Sequence, residues 1–280
     1  MATCGAFHTL VVAETGELFA WGAGLDFQLG LHDDDNRLLP AQVDPEAFEQ
    51  ARVLMAAGGG AFSAAVTEGG GLFTFGEGGP WLGHGHDAPD FSSPQKSPAR
   101  VRAELFNGDK VVMTSCGTLH QAAVTEVGQV YCWGQGGPRL GEHLFLSCLL
   151  FTVSHDTRHL AYQNPRAGVG DADSRPVPVR LAPDFFHGET VLQISCGSVH
   201  TAAVTHSGVL YTWGFGGEGR LGHGDTAMRM QPTQVMAIGQ RFGTGPKRAR
   251  VLMVCGGGFH TGEFSFIISP SLEESLTLYE

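Results

Sequence analysis

The chain has 280 residues, of which 42% are apolar, enough to bury a sizeable core and to argue against wholesale disorder. Its formal net charge of −11, with only 17 Lys and Arg, argues against nucleic acid or an anionic membrane as a direct partner. The 41 Gly and 14 Pro follow no collagen-like period and indicate many tight turns between short elements.

The sequence shows no targeting segment and no membrane span. Residues 1–5 lack the basic region that precedes the apolar stretch of a signal peptide, and the longest apolar run covers only residues 144–153. Six cysteines without a signal peptide are typical of reduced thiols. We therefore expect an intracellular protein, cytoplasmic or nuclear, without membrane binding.

A repeated segment organises the chain. Four copies align with one another: CGAFHTLVVAETGELFAWGAG from Cys4, GGGAFSAAVTEGGGLFTFGEGG from Gly58, CGTLHQAAVTEVGQVYCWGQGG from Cys116, and CGSVHTAAVTHSGVLYTWGFGG from Cys196. A fifth copy begins at Cys255 and then loses the pattern. A repeated unit of this size predicts a solenoid or a propeller built from one stacked element.

The third copy illustrates the predicted element. Residues Ser115–Val124 are predicted to form one strand and Gln129–Trp133 the next, with a four-residue link that ends in Gly128. Glycine accepts the positive φ of a tight hairpin turn. Both strands are apolar on both faces, as expected when a small sheet packs between two neighbours. With a further strand that contains proline, such as Gln231–Val235, about four strands form each unit, which predicts a β-propeller blade.

The unit resembles the repeat of the regulator of chromosome condensation family, which runs G-x-x-H-T, an aromatic–Gly hairpin, L-G-x-G-D and Pro-x-x-V. Copy four matches nearly throughout, whereas copy two has phenylalanine in the histidine and tryptophan positions. The repeated structural positions are His8, Trp21, Gly22, Phe62, Phe75, Gly76, His120, Trp133, Gly134, His200, Trp213, Gly214 and His260. The resemblance implies an all-β propeller, usually of seven blades, of which this chain holds four and a fraction of a fifth.

The spacing of the histidine position divides the chain into units. Its intervals are 54, 58, 80 and 60 residues. The predicted boundaries are 4–57, 58–115, 116–195, 196–254 and 255–264, followed by a divergent tail at 265–280. Unit three is too long because residues 142–168 interrupt it. They are either a real loop insertion, which repeat proteins tolerate, or a gene-model artefact, which the apolar run LFLSCLLFTV favours.

Cysteine and histidine recur together once per unit. The pairs are Cys4/His8, Cys116/His120, Cys196/His200 and, one residue longer, Cys255/His260. A zinc site needs about four ligands that converge on one point, whereas these pairs belong to different blades. We expect instead a small buried thiol and a histidine that bonds to backbone within its own blade. No catalytic, metal or cofactor site is predicted.

Several residues outside the repeated positions are candidates for partner contact. They are Asp33, Asp34, Asp35, Trp81, His84, His86, His223 and Asp225. For the loop histidines and Asp225 we favour a structural turn in which aspartate caps backbone amides. The three aspartates depart from the usual loop and form either a solvated turn or a contact for a basic partner. Trp81 either fills a gap in a blade or anchors a partner.

The resemblance leaves three functions open. A non-catalytic scaffold for protein partners is favoured, because propellers carry binding sites in loops on a rigid frame. The alternatives are a guanine-nucleotide exchange factor for a Ran-type small GTPase and the recognition propeller of a HECT-type ubiquitin ligase. Light sensing with dense tryptophan clusters is disfavoured, since the chain has 4 tryptophans, three of them in blade positions. Open blade edges also predict self-association.

Overall fold

The computed structural model describes residues 1–85, 93–135, 168, 173–236 and 251–257. Strands dominate, in four antiparallel sheets of four strands each, in which strands adjacent in sequence pair with one another. The prediction of an all-β chain is therefore confirmed. Within these residues, no helix has the length and apolarity needed to cross a membrane.

The strands follow one another in chain order through the four sheets. Sheet 1 consists of β1 (Ala2–Cys4), β2 (His8–Val12), β3 (Leu18–Gly22) and β4 (Arg37–Gln42). Sheet 2 consists of β5 (Val53–Gly58), β6 (Phe62–Thr67), β7 (Leu72–Gly76) and β8 (Gln95–Arg100). Sheet 3 consists of β9 (Val111–Cys116), β10 (His120–Thr125), β11 (Val130–Gly134) and β12 (Arg175–Arg180). Sheet 4 consists of β13 (Val191–Cys196), β14 (His200–Thr205), β15 (Leu210–Gly214) and β16 (Arg229–Gln234).

Short 3-10 helices lie between some of these strands. They span Pro45–Phe48, Pro80–Leu82, Ala103–Phe106, Pro183–Phe186 and Gly217–Gly219. Three of them join the last strand of one sheet to the first strand of the next, and each of those three buries one phenylalanine. The connection between sheets is therefore itself part of the core.

The turn chemistry of copy three is confirmed, but one strand boundary is wrong. Gly128 has φ +75°, and its N–H bonds to the Thr125 carbonyl at 2.8 Å, which closes the hairpin between β10 and β11. The predicted strand Ser115–Val124 is in fact two strands. The Gly117 N–H bonds to the His120 carbonyl at 2.8 Å, so the chain turns back between β9 and β10.

Side chains of the two middle strands alternate between two neighbouring sheets. In sheet 2, Phe62 and Ala64 pack toward sheet 3, whereas Ala65, Phe73 and Phe75 pack toward sheet 1. We call the surface toward the next sheet the forward face and the surface toward the preceding sheet the rear face. All residues of the middle strands in sheets 2, 3 and 4 are buried, as both-face apolarity predicted.

The junctions between sheets share one contact, an aromatic residue on a glycine turn. A Cβ on Gly30 would lie 2.8 Å from the Phe75 ring, and one on Gly83 would lie 2.8 Å from Trp133 Nε1. Gly168 has the same relation to Trp213, with 2.6 Å to Nε1. Gly168 therefore takes the position of the Leu-Gly glycine in unit three.

The insertion predicted at 142–168 stays a prediction, since Gly168 is the one residue of it that the structure describes. The remainder of the insertion lies outside the described residues, as do Lys247 to Arg250, His260 and the tail from 265 to 280. The unit boundaries themselves stay a prediction.

Candidate interaction surface

The repeated histidines link neighbouring sheets. His8 Nε2 lies 2.7 Å from Ser63 Oγ, and His120 Nε2 lies 3.0 Å from Thr201 Oγ1, so each bond joins the second strands of adjacent sheets. The prediction of a backbone bond within the blade is wrong, because the hydroxyl of the following sheet reaches the ring instead. Burial lowers the pKa of His8 to about 4, so this ring is neutral at physiological pH.

Of the paired cysteines, those of sheets 3 and 4 are buried. Cys116 and Cys196 are buried, and burial raises the pKa of Cys196 to about 12, so this thiol is not a nucleophile. Cys4 and Cys255 are exposed, contrary to the prediction of a buried thiol. Among the described residues, no three His, Cys, Asp or Glu side chains group as metal ligands.

The loop histidines and Asp225 occupy structural turns. His84 Nε2 lies 3.0 Å from Thr74 Oγ1, and His223 Nε2 lies 3.0 Å from Thr212 Oγ1 in the equivalent loop. Asp225 Oδ1 accepts the Ala227 N–H at 3.0 Å, and its other oxygen accepts from Arg229 at 2.8 Å. These side chains hold the loop together. His86, the remaining histidine of this group, lies outside the described residues.

The acidic loop of unit one has the same construction. Asp33 Oδ1 accepts the Asp35 N–H at 3.1 Å, and Oδ2 accepts from Arg37 at 2.6 Å. These contacts repeat the offsets of two and four residues seen at Asp225. The prediction that this loop departs from the repeat is therefore wrong for Asp33, which makes the same contacts as Asp225. In the sequence this equivalence is not evident, because two further aspartates follow Asp33. Asp34 and Asp35 are exposed, and partner contact there stays a prediction.

Trp81 is a packing residue in this structure rather than an exposed anchor. Its side chain is 4% exposed, and its Nε1 donates to the Glu77 carbonyl at 2.9 Å. Its own carbonyl accepts from Trp133 Nε1 at 2.9 Å, which joins sheet 2 to sheet 3. Burial, together with Asp26, raises the pKa of the Glu77 carboxyl to about 7.

The largest departure from the repeated pattern is the rear face of sheet 1. Thr9 pairs with Trp21 and Val11 with Phe19 across β2 and β3, in the register of the interior sheets. All four are only partly buried, whereas Phe75, Trp133 and Trp213 in the equivalent position are 0% exposed. Phe7, beside them, is 51% exposed. This face carries the residues of an interior junction without a sheet of the described chain to cover it.

Its polar groups are also those of a junction. Thr9 occupies the hydroxyl position that Ser63 and Thr201 use to meet a histidine of the preceding sheet. Trp21 occupies the position from which Trp133 donates to a carbonyl of the preceding sheet. Within the described residues, neither the Thr9 hydroxyl nor the Trp21 indole N–H has a hydrogen-bond partner. Sequence reasoning treated Trp21 as structural only, because it occupies the same position of the repeat as the buried Trp133 and Trp213.

Among the described residues, sheet 4 shows the complementary feature. Gly222, of the Leu-Gly turn in unit four, has φ +77°, and within that part of the chain a Cβ there would meet only Val235 Cγ1, at 3.5 Å. The equivalent glycines of the first three units each lie against an aromatic ring of the next sheet. Residues 251–257 cover part of this forward face, since Val251 and Val254 join its core and Val254 bonds to Gln193 in both directions.

Comparison with known sequences agrees with this geometry. The profile of the regulator of chromosome condensation (RCC1) repeat matches residues 15–66 and 207–262. The ultraviolet-B receptor UVR8 of Arabidopsis thaliana is 31% identical over 263 residues, covering 84% of this chain and 57% of the receptor. The human E3 ubiquitin-protein ligase HERC2 is 30% identical over 236 residues, covering 84% of this chain and 4% of the ligase. The chain thus spans little more than half of one relative and a small part of the other.

Solved structures confirm the propeller architecture. Human WBSCR16 superimposes with a TM-score of 0.68 at 25% identity, covering 92% of this chain and 55% of that protein. Prp20p of Saccharomyces cerevisiae, described with its binding to Gsp1p and histones, superimposes with a TM-score of 0.62 at 22% identity. It covers 92% of this chain and 53% of that protein. The four sheets are therefore blades, and together they form a partial propeller.

Proposed function

Since this chain is built from repeats of the regulator of chromosome condensation family, we propose that it is a non-catalytic scaffold that binds protein through its uncovered blade face. The observation that carries the proposal is the rear face of sheet 1, where Phe19 and Trp21 stay partly exposed in positions that every interior blade covers. Exposed contiguous apolar surface on a soluble protein marks an interaction site. Aromatic residues of this kind are frequent anchors at protein interfaces.

The occupant that fits this face is a second copy of the chain. At each of the three junctions between sheets, the rear face of one sheet packs on the forward face of the preceding sheet. The aromatic residue of the rear face then lies on a glycine turn of the forward face. The open turn at Gly222 offers this contact on the far side of the molecule. On the forward face of sheet 4, residues 251–257 already occupy the place that the first strand of a next sheet would take. The second copy therefore packs on this face with β2 and β3 of its sheet 1 and not with β1. Such a head-to-tail contact is heterologous, since it joins two different surfaces.

One residue makes the fit looser than in the interior. Val11 stands where Ala65, Ala123 and Ala203 stand in the other sheets, each of them 0% exposed. Two extra methyl groups in this position hold the incoming sheet away from the face, because a tightly packed junction has no room for them. The contact is therefore expected to be weaker than an interior junction.

Sedimentation velocity of the whole chain over a range of concentrations tests the proposal. We expect an average mass that rises with concentration, that stays at the monomer value for Trp21→Glu, and that rises at lower concentration for Val11→Ala. Leu38→Glu is the matched control, because Leu38 is 94% exposed on an outer strand and lies off the rear face. A chain that stays monomeric at about 100 μM, or a Trp21→Glu variant that associates like the parent, contradicts the proposal.

Exchange activity is a separate outcome that the same protein can reveal. Release of labelled nucleotide from a Ran-type GTPase, at catalytic amounts of this chain, would replace the scaffold proposal with the exchange-factor alternative. No acceleration at micromolar concentration is the result that the scaffold proposal expects.

A further inference from the structure

Three blades expose an apolar residue at the same position, the second residue of the first strand. These residues, which we call the apolar arc, are Leu54, Val112 and Leu192, with 56%, 52% and 55% exposure. Leu252, which follows Val251 in the corresponding position of the next unit, is 41% exposed. A large apolar side chain that is exposed at the same position of successive blades is a candidate for partner contact.

A β-bulge in each blade produces this exposure. Val53 pairs with Thr67 and Met55 with Val66, so Leu54 is an extra residue without a partner on β6. Val112 and Leu192 are the extra residues at the same point of β9 and β13. A bulge turns its side chain out of the regular alternation of a strand, which removes it from both faces of the sheet.

The arc residues lie on adjacent strands, because the first strands of neighbouring blades contact one another. Met55 and Met113 lie partly buried beside it and pack against the cores between blades. The Met113 sulfur accepts the Ile194 N–H at 3.4 Å, which links sheet 3 to sheet 4. Flexible thioether side chains at the margin of an apolar patch adapt to the shape of a ligand.

Carboxylates lie next to the arc, in the hairpin turns and before the first strands. The Glu68 N–H bonds to the Arg52 carbonyl at 2.9 Å, and the Glu126 N–H bonds to the Lys110 carbonyl at 2.8 Å. Arg52 and Lys110 each precede an arc residue by two positions, so both glutamates lie near the start of a first strand. In unit four the equivalent residue is His206, whose N–H bonds to the Thr190 carbonyl at 3.0 Å. A carboxylate at a different position, Glu189, precedes Leu192 by three residues and accepts a hydrogen bond from Ser207. This bond and a second one from Thr205 lower the pKa of Glu189, so the carboxylate is charged at neutral pH.

Two described cations accompany these carboxylates. Lys110 is exposed, and the Arg52 guanidinium donates to the Glu14 and Thr15 carbonyls at 2.8 and 3.0 Å. Asp109 and Glu14 add two further negative charges at this end of the sheets. The surroundings of the arc are therefore acidic, in keeping with the net charge of −11.

We propose that the apolar arc binds an amphipathic helix that carries Lys and Arg beside its apolar face. The helix would place apolar side chains against Leu54, Val112 and Leu192, and its cations would meet Glu68, Glu126 and Glu189. Helices recognised in this way bury one apolar stripe and use flanking charges for orientation and specificity. This inference rests on the proposed binding function but uses a different surface from the rear face of sheet 1.

Fluorescence anisotropy with a labelled Leu/Lys peptide of amphipathic helical pattern tests this site on the whole chain. We expect saturable binding that weakens with added salt and that falls by about tenfold or more in the triple variant Leu54→Ser, Val112→Ser, Leu192→Ser. Leu38→Ser with Leu39→Ser is the matched control, since both residues are exposed apolar side chains away from the arc. The double variant Glu68→Gln, Glu126→Gln is expected to bind more weakly and with a smaller dependence on salt.

The outcomes separate this site from the other surface. Trp21→Glu is expected to keep full peptide binding while it loses self-association, so the two proposals can fail independently. Equal binding by the triple variant, equal loss in the Leu38/Leu39 control, or equal affinity for a Leu/Glu peptide overturns the inference. Self-association that disappears in the triple variant overturns it as well, because the arc would then receive a second copy.

Discussion

The junction between sheets 2 and 3 and the rear face of sheet 1 carry the same kind of residues in opposite situations. At the junction, Trp133 is 0% exposed and donates its indole N–H to the Trp81 carbonyl at 2.9 Å. On sheet 1, Trp21 pairs with Thr9 in the same register, yet it stays partly exposed and unbonded among the described residues. The aromatic residues of a blade therefore keep the same register whether or not a described sheet covers them, and their exposure depends on the neighbouring sheet.

The comparison predicts very different costs for the two tryptophans. Trp133→Ala is expected to lower the free energy of unfolding by about 3–5 kcal/mol, because it empties a buried site and leaves a carbonyl without its donor. Trp21→Ala is expected to cost less than about 1 kcal/mol at a concentration where the chain is monomeric. Urea denaturation followed by circular dichroism measures both. Equal losses would mean that the rear face of sheet 1 is covered in the monomer.

The histidine link gives the comparison a pH dependence. Burial lowers the pKa of His8 from 6.5 to about 4, so the unfolded chain takes up the proton more readily than the folded one. The stability tied to the neutral ring is complete above pH 6.5 and is lost as pH falls toward 4. The full loss is about 3 kcal/mol for this shift.

His8→Phe copies the residue that unit two already has at this position, Phe62, and is expected to lose this part of the acid sensitivity. Denaturation midpoints of the parent and the variant are measured between pH 7 and pH 4. Because both proteins contain Glu77, its contribution to the pH dependence cancels when the two sets of midpoints are subtracted. An unchanged slope in His8→Phe would contradict a neutral, buried link.

The glycine turns offer the smallest and most closely matched test. Gly83 and Gly222 have φ of +80° and +77°, so alanine meets the same backbone strain of about 1–2 kcal/mol at both positions. At Gly83 the new Cβ would also lie 2.8 Å from Trp133 Nε1, whereas at Gly222 the one described residue that it meets is Val235, at 3.5 Å. Gly83→Ala is therefore expected to cost about 1–3 kcal/mol more than Gly222→Ala in thermal or urea unfolding. Similar costs would show that the aromatic ring does not rest on this turn.

Periodicity in the sequence identified which residues recur, and contacts between distant residues decided what they do. The histidine positions were predictable, but their partners Ser63 and Thr201 lie 55 and 81 residues away, and no local pattern connects them. The insertion shows the same limit. Gly168 meets the ring of Trp213 in the next sheet, and no local pattern in residues 142–168 connects the two.

The candidate surfaces were less predictable than the fold. Trp21 looked identical to the other tryptophans of the repeat because exposure depends on the neighbouring blade, which a single unit does not encode. The apolar arc depends on a bulge that adds one residue to each first strand, and Leu54 reads in the sequence as an ordinary strand residue. Trp81 was ambiguous because nothing near it in sequence shows that its carbonyl meets Trp133.

Hydroxyl-radical footprinting, read by mass spectrometry at each tryptophan, tests most directly whether the rear face of sheet 1 is an interface. At low protein concentration Trp21 is expected to oxidise readily while Trp133 and Trp213 are protected. As the concentration rises through the range in which sedimentation detects association, Trp21 is expected to become protected while the interior tryptophans do not change. Oxidation of Trp21 that stays constant while the chain associates, or protection equal to Trp133 at every concentration, would contradict the account.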